Sequence, residues 1–179
     1  MNWVEFYLGL AYAVGNKSKD VSKHGCIITN KKNKPLGFGY NGYPEGWRDD
    51  RMPTHREYDI HLAPNKYDVT PHAEVNAITN CNKKPKKAIA YVSGICCGNC
   101  MIHLYQNGVR KIYMLDKTCH MLSDQRSKKV FDFIEEEVKH SKCGNMEIYR
   151  VKPNLLWLEN LGEEVKKLRL DGVLLGAGE

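Results

Sequence analysis

The chain has 179 residues, 42% hydrophobic and 27% charged, which suits one soluble globular domain with a proper core and a tail or insertion. Lys and Arg number 27 against 21 Asp and Glu, a net charge of +6 that favours an anionic ligand, nucleotide and nucleic acid alike. No apolar run is long enough to span a bilayer, Met1 to Glu5 lacks the pattern of a secretory leader, and seven Cys fit a reducing compartment better than a disulfide framework, so the expected location is the cytoplasm and no membrane partner is expected.

In chain order, residues 2–16 read as a helix, with Trp3, Phe6, Tyr7, Leu10 and Val14 at helical spacing and Gly15-Asn16 as a stop. Lys17 to Lys23 is a polar, basic loop. Residues 25–29 are β-prone, Asn30 to Lys34 is a hairpin connection and residues 35–40 its return strand. Asn41 to Gly46 is turn chemistry, and a long irregular stretch then runs to Val69. His55, Asp59 and His61 within it have the residue types of a second metal site, though plain surface histidines are the commoner reading. Residues 71–80 fit a helix, with Pro71 as a start signal, Thr70 as its N-cap and His72 and Glu74 in its first turn. Lys83, Lys84, Lys86 and Lys87 flank Pro85 in a basic turn. Residues 88–92 are a strand, 97–107 a helix and 109–115 a strand. The charged run Asp116 to Lys129, which contains His120, leads into a helix with Val130, Phe131, Phe133, Ile134 and Val138 apolar. Met146 to Val151 is the last strand. After Pro153, Leu158, Leu161, Val165 and Leu168 mark an amphipathic helix over 154–170, a packing helix or an oligomer contact. The division expected is a catalytic domain over 1–152 and a helix with a frayed tail over 153–179.

Two short stretches carry the chemistry. His72-Ala73-Glu74 and Cys97-Gly98-Asn99-Cys100 supply an imidazole, a carboxylate and two thiols. One His and two Cys are a common ligand set for catalytic zinc, with the fourth position left to water. Cys97 and Cys100 are three apart and fit one face of a first helical turn, where the helix dipole favours thiolate. Zinc lowers the pKa of a water toward ~7. A carboxylate beside it, Glu74, could then move protons to a cytosine N3 and to the departing amine. CxxC by itself is often half of a structural site, for which Cys96, Cys81 or His103 could supply a fourth ligand.

The order of helix, Ser18-Lys19-Asp20 loop, hairpin, Gly39-Tyr40-Asn41-Gly42-Tyr43-Pro44, His72-Ala73-Glu74-Val75-Asn76-Ala77-Ile78 and Cys97-x-x-Cys100 resembles deoxycytidylate (dCMP) deaminases over roughly residues 3–151. The resemblance is to a short, phage-like member of the zinc-dependent cytidine and deoxycytidylate deaminases. It implies a three-layer α/β/α sandwich around a five-stranded mixed sheet, with zinc on His72, Cys97 and Cys100 and Glu74 as proton shuttle. It implies Asn41 near the deoxyribose hydroxyl, the Ala73 N–H on the pyrimidine carbonyl, and the phosphate held around Lys19, Ser22 and Lys23. Many members are hexamers activated by dCTP with magnesium and inhibited by dTTP. By resemblance the effector region involves Gly39, Asn41, Gly42 and Tyr43, to which Lys83 could add charge from the same or a neighbouring subunit. Two positions depart from the family pattern: Cys96 stands where Pro is usual, and His24 where an apolar residue is usual. Asp20 stands where some phage relatives place a Cys on a second zinc.

The resulting expectation is hydrolytic deamination of dCMP to dUMP and ammonia by a cytoplasmic homo-oligomer with no stable nucleic-acid partner. The alternatives are a deaminase of a base in tRNA or single-stranded DNA, or a zinc-stabilised binding module in which Glu74 is idle. The first of these lacks a clear row of exposed aromatics for base stacking.

Overall fold

The computed structural model describes residues 1–53, 61, 64–116 and 125–152. Helix α1 (Trp3–Gly15) starts at a capping box: Asn2 Oδ1 accepts from the Glu5 N–H at 2.9 Å and the Asn2 N–H donates to Glu5 Oε2 at 3.0 Å. The chain then enters β1 (Gly25–Thr29), whose five residues are all buried, and returns along β2 (Pro35–Tyr40). The connection turns at Asn30, whose Oδ1 accepts from the Lys32 and Lys34 N–H groups, and Asn33 takes the left-handed conformation with φ 56°.

A five-stranded sheet follows, in the order β2-β1-β3-β4-β5, with β3 (Ala88–Val92), β4 (Val109–Leu115) and β5 (Glu147–Val151). β1 is antiparallel to both β2 and β3, whereas β3, β4 and β5 are mutually parallel. Their crossovers carry α4 (Gly98–Gln106) and α5 (Gln125–Lys139), while α3 (Ala73–Thr79) precedes β3. One sheet face, with Cys26, Ile28, Ala90, Val92, Ile112 and Met114, packs on residues of α3, α4 and α5. The other, with Ile27, Tyr91 and Leu115, packs on Tyr7, Leu8 and Ala11 of α1. Alternate residues of each strand therefore serve opposite layers. This is the expected three-layer sandwich with a mixed sheet.

Close contact between β2 and α3 fixes the helix that starts the site. A Cβ on Gly39 would stand 2.3 Å from the Ala77 N and 2.6 Å from the Ala73 O, so only hydrogen fits between the two backbones. On the α1 face, Tyr7, Tyr91, Tyr113 and Tyr149 stack in a row, with successive ring centroids 4.9, 5.5 and 4.8 Å apart. Their faces are turned to one another, so the row is packing between strands in register rather than an open platform for bases.

The structure departs from the sequence reading at three places. The stretch before Val69 contains a short 3-10 helix, Asp49–Arg51, and a one-turn helix α2 (Lys66–Val69), both without enough length for an apolar period. α5 begins inside the charged run, because its first turns are exposed and carry no apolar stripe. Helix α3 starts at Ala73 with His72 as N-cap, not within a helix from residue 71, and the buried Thr70 hydroxyl has no hydrogen-bond partner and caps nothing. The expected helix over 154–170, the domain division at residue 152, and His55, Asp59 and His120 lie outside the described residues.

Candidate active site

His72 and Cys97 occupy the same place on two different helices. Each is an N-cap in extended conformation, with φ −73° and ψ 159° for His72 and φ −73° and ψ 161° for Cys97. An extended N-cap turns its side chain back over the helix end. Cys97 Sγ uses this to accept from the Cys100 N–H at 3.4 Å, whereas the His72 side chain makes no cap bond. The two helix ends meet. His72 Nδ1 lies 3.5 Å from Cys97 Sγ and 3.3 Å from Cys100 Sγ, and the three donor atoms fall within 4.8 Å of one another.

These donors fit zinc. Ordinary Zn–S and Zn–N bonds in tetrahedral geometry separate an imidazole N from a thiolate S by about 3.6 Å. Among the described residues no further His, Cys, Asp or Glu joins the cluster. Cys96 is buried, with its N–H donating to Met114 Sδ at 3.3 Å; Cys81 Sγ faces the Ala77 carbonyl at 3.2 Å; His103 is exposed. Among the described residues the arrangement thus has three protein donors, where a structural site has four.

The cluster's own electrostatics suit a cation. The sulfur of Cys100, then burial, pushes the Cys97 thiol up, and the Cys96 sulfur pushes up Cys100. The His72 imidazole is raised by Cys97 and further by Glu74, against burial and the charge of Lys66. A bound divalent ion stabilises thiolate and neutral imidazole instead. Glu74, 5% exposed in the first turn of α3, lies outside the donor cluster and close enough to Cys96, Cys100 and Cys26 for its charge to raise their thiols.

Asn41, the residue after β2, is built into a polar knot. Its Oδ1 accepts from the His24 N–H at 2.9 Å, and its Nδ2 donates to Asp20 Oδ2 at 3.1 Å and to the Ser22 carbonyl at 2.8 Å. Its own carbonyl accepts from the Ser18 hydroxyl at 2.6 Å. The loop carrying Lys19, Ser22 and Lys23 is thereby pinned beside Asn41 with those three residues exposed. Lys23 Nζ reaches the Asn16 carbonyl at 3.4 Å. His24 is half-buried with its ring against Gly94, where a Cβ would stand 2.8 Å away. Ala73 opens α3 and is fully buried.

Two residues of this region escape a sequence reading. Lys66 is 8% exposed and forms an ion pair with Asp20, and Asn65 caps the helix that carries it. The Asn65-x-x-Asp68 spacing is a capping signature that locates α2, but lysine is among the types least expected inside.

The residues of the expected effector region do not share one place. Gly39 is buried between β2 and α3, and its lack of a side chain is explained by that packing. The Gly42 N–H donates to the Pro71 carbonyl at 3.3 Å, and the Tyr43 hydroxyl to the Pro53 carbonyl at 3.0 Å. Lys83 is exposed beside Asn82, whose N–H donates to the Leu36 carbonyl, so it sits at the other end of β2 from Asn41. Within one chain Lys83 does not join the Asn41–Tyr43 turn.

An α/β/α sheet that brings a His, two Cys and a buried Glu to two helix ends has the architecture of the cytidine deaminase fold. Residues 1–116 match the family described as "Cytidine and deoxycytidylate deaminase zinc-binding region". The deoxycytidylate deaminases of Mus musculus and Homo sapiens are each 38% identical over 120 residues, covering 65% of this chain and 67% of the relative. The crystal structure of dCMP deaminase from the cyanophage S-TIM5 in complex with dCMP and dUMP has a TM-score of 0.56 at 18% identity, covering 82% of this chain and 95% of that one. The last likeness shows the fold. The chain belongs to the cytidine and deoxycytidylate deaminase family, and is accordingly an enzyme. All six described cysteines are free, and no helix among the described residues is long and apolar enough to cross a membrane.

Proposed function

We propose that the chain hydrolyses dCMP to dUMP and ammonia. The observation that carries this reading is the three-donor cluster with Glu74 buried just outside it, in a chain 38% identical to deoxycytidylate deaminases. His72, Cys97 and Cys100 would hold Zn2+. When bound, that ion supplies the Lewis acidity that makes water a nucleophile at neutral pH.

The remaining roles fall to the chain's own groups. Glu74 takes a proton from the attacking water and delivers it to N3 of the pyrimidine, then takes the remaining proton of the new C4 hydroxyl and passes it to the C4 amine as the C–N bond breaks, leaving the C4 carbonyl and ammonia. The Ala73 N–H, at a helix end without a side-chain cap, orients the pyrimidine carbonyl. Asn41 already donates both hydrogens of its amide, so toward the deoxyribose hydroxyl it can act only as acceptor through the second lone pair of Oδ1. Lys19, Ser22 and Lys23 offer positive charge and donors to the 5′-phosphate. The effectors are dCTP with Mg2+ as activator and dTTP as inhibitor, acting at the turn of Asn41, Gly42 and Tyr43 at the end of the strand bearing Gly39. Lys83 could reach that turn only from a neighbouring subunit of a hexamer. Each effector shifts activity through different affinity for an active and an inactive state.

The test is ammonia release from dCMP, CMP, dCTP and deoxycytidine, each with and without dCTP and dTTP. A strong preference for dCMP is expected, with dTTP inhibition relieved by dCTP. Comparable kcat/KM for deoxycytidine and dCMP would remove the phosphate assignment. No response to either triphosphate would remove the regulatory one.

A further inference from the structure

Lys86 and Lys87 of the basic turn have no part in the reaction described above, and they open onto a groove at the end of the sheet. That groove has a volume of about 700 Å³ and is lined by Lys31, Lys86, Lys87, Arg110 and Lys111, with Glu147 the only carboxylate among the described lining residues. Five cations around one acid make a strong local field for an anion, and a space of this size holds a small molecule.

Its position separates it from the deaminase site. Lys86 and Lys87 directly precede β3, Arg110 and Lys111 lie at the start of β4, Glu147 opens β5 and Lys31 follows β1. The His-Cys-Cys cluster lies beyond the other end of β3. Five strand residues span about 16 Å, so the two sites are at opposite ends of the sheet.

The groove is partly preset for an anion. Arg110 Nη1 donates to the Tyr105 carbonyl at 2.6 Å and to the Val109 carbonyl at 2.7 Å, and its guanidinium stacks 4.2 Å from the Tyr105 ring centroid. A Cβ on Gly144 would press on Arg110 Nε at 3.3 Å, so the loop wall is shaped around the guanidinium. A cation already ordered loses little entropy when a ligand arrives. Lys111 is held by Glu147 at 2.8 Å, while Lys31 and Lys86 stand exposed on two separate loops. Among the described residues no aromatic side chain lines the groove to read a base by stacking.

We propose that this groove binds a linear chain of phosphates, recognised by its charge and oxygens rather than by a base. Its source is either an inorganic oligophosphate or the tail of a nucleoside triphosphate. The proposal stands apart from the deaminase reading, because binding is measured without dCMP turnover.

The experiment is calorimetric titration of the full chain with inorganic tripolyphosphate and, separately, with dGTP, at low and at high salt. Saturable binding is expected, weakening by about tenfold or more as salt screens the pairs. In Lys31→Glu/Lys86→Glu affinity should fall by about tenfold or more, with an unchanged thermal melt. Lys128→Glu/Lys129→Glu, at the exposed start of α5, makes the same change in net charge at the far end of the sheet and should bind as the parent does. Equal, mutually competitive binding of tripolyphosphate and dGTP supports recognition of the phosphate chain alone. Much tighter binding of dGTP than of tripolyphosphate, lost in Lys31→Glu/Lys86→Glu, would show that the nucleoside is read and would overturn recognition by the phosphate chain. Absence of saturation at millimolar ligand, or equal loss in both double variants, would overturn the site. So would a single-stranded oligonucleotide that binds the groove far more tightly than either small ligand.

Discussion

The ammonium of Lys66 and the carboxylate of Asp20 form a buried ion pair, with side chains 10% and 7% exposed. Asp20 Oδ2 also accepts from Asn41 Nδ2, so one carboxylate joins α2, the loop after α1 and the turn after β2. Lys66→Met leaves that carboxylate buried without its cation. The expected loss is about 3–5 kcal/mol in urea unfolding. Lys66→Met/Asp20→Asn should recover a large part of it, since the burial cost of the charge disappears with the charge. A single variant as stable as the parent would show that the pair contributes nothing.

Glu74→Gln keeps the size of the side chain and removes its proton transfer. The rate of ammonia release from dCMP should fall by at least about 10²–10⁴, with zinc content by metal analysis unchanged. Cys97→Ala and Cys100→Ala should lose zinc and activity together. An active Glu74→Gln enzyme would refute the proton-shuttle role.

Gly39 and Gly94 are predicted to tolerate a methyl group differently. At Gly39 the added Cβ meets the backbone of Ala73 and Ala77, which cannot move without separating β2 from α3. Gly39→Ala should therefore cost about 1–3 kcal/mol or more. At Gly94 the added Cβ meets only the His24 ring. Gly94→Ala should cost less, and His24→Ala in the same chain should relieve it. Thermal melts of the variants distinguish these outcomes.

Acid should weaken the contact between α5 and β5. Burial raises the Glu135 carboxyl, but Lys139 at 2.6 Å and Arg150 at 2.7 Å outweigh it and hold the group below its ordinary value. A carboxyl with a depressed folded-state pKa adds stability above its unfolded value, near ~4.3, and loses it as pH falls through the folded value. Both cationic partners are partly exposed, so the contribution is at most about 1 kcal/mol. Glu135→Gln should lower stability at neutral pH and flatten its decline below about pH 4.3, read from unfolding at stepped pH.

Each half of the candidate site was legible in the chain because each is local. His72 with Glu74, and Cys97 with Cys100, are placed by the geometry of one helix end, which depends on a few adjacent dihedrals and a start signal. The same holds for the strands, whose apolar runs and turn residues mark them directly, and for the capping box at Asn2. The N-cap role of His72 is hidden in the sequence by the competing start signals Thr70 and Pro71 beside it. Tertiary structure alone brought His72 Nδ1 to 3.5 Å from Cys97 Sγ across 25 residues. It also decided that β1 lies between β2 and β3, that Lys66 is buried against Asp20, that Lys83 stands away from Asn41, and that loops from four strand ends converge into one basic groove. These relations depend on strand order and register, which are set by packing across the whole sheet, and a periodic pattern within one segment carries no information about which segment will lie beside it.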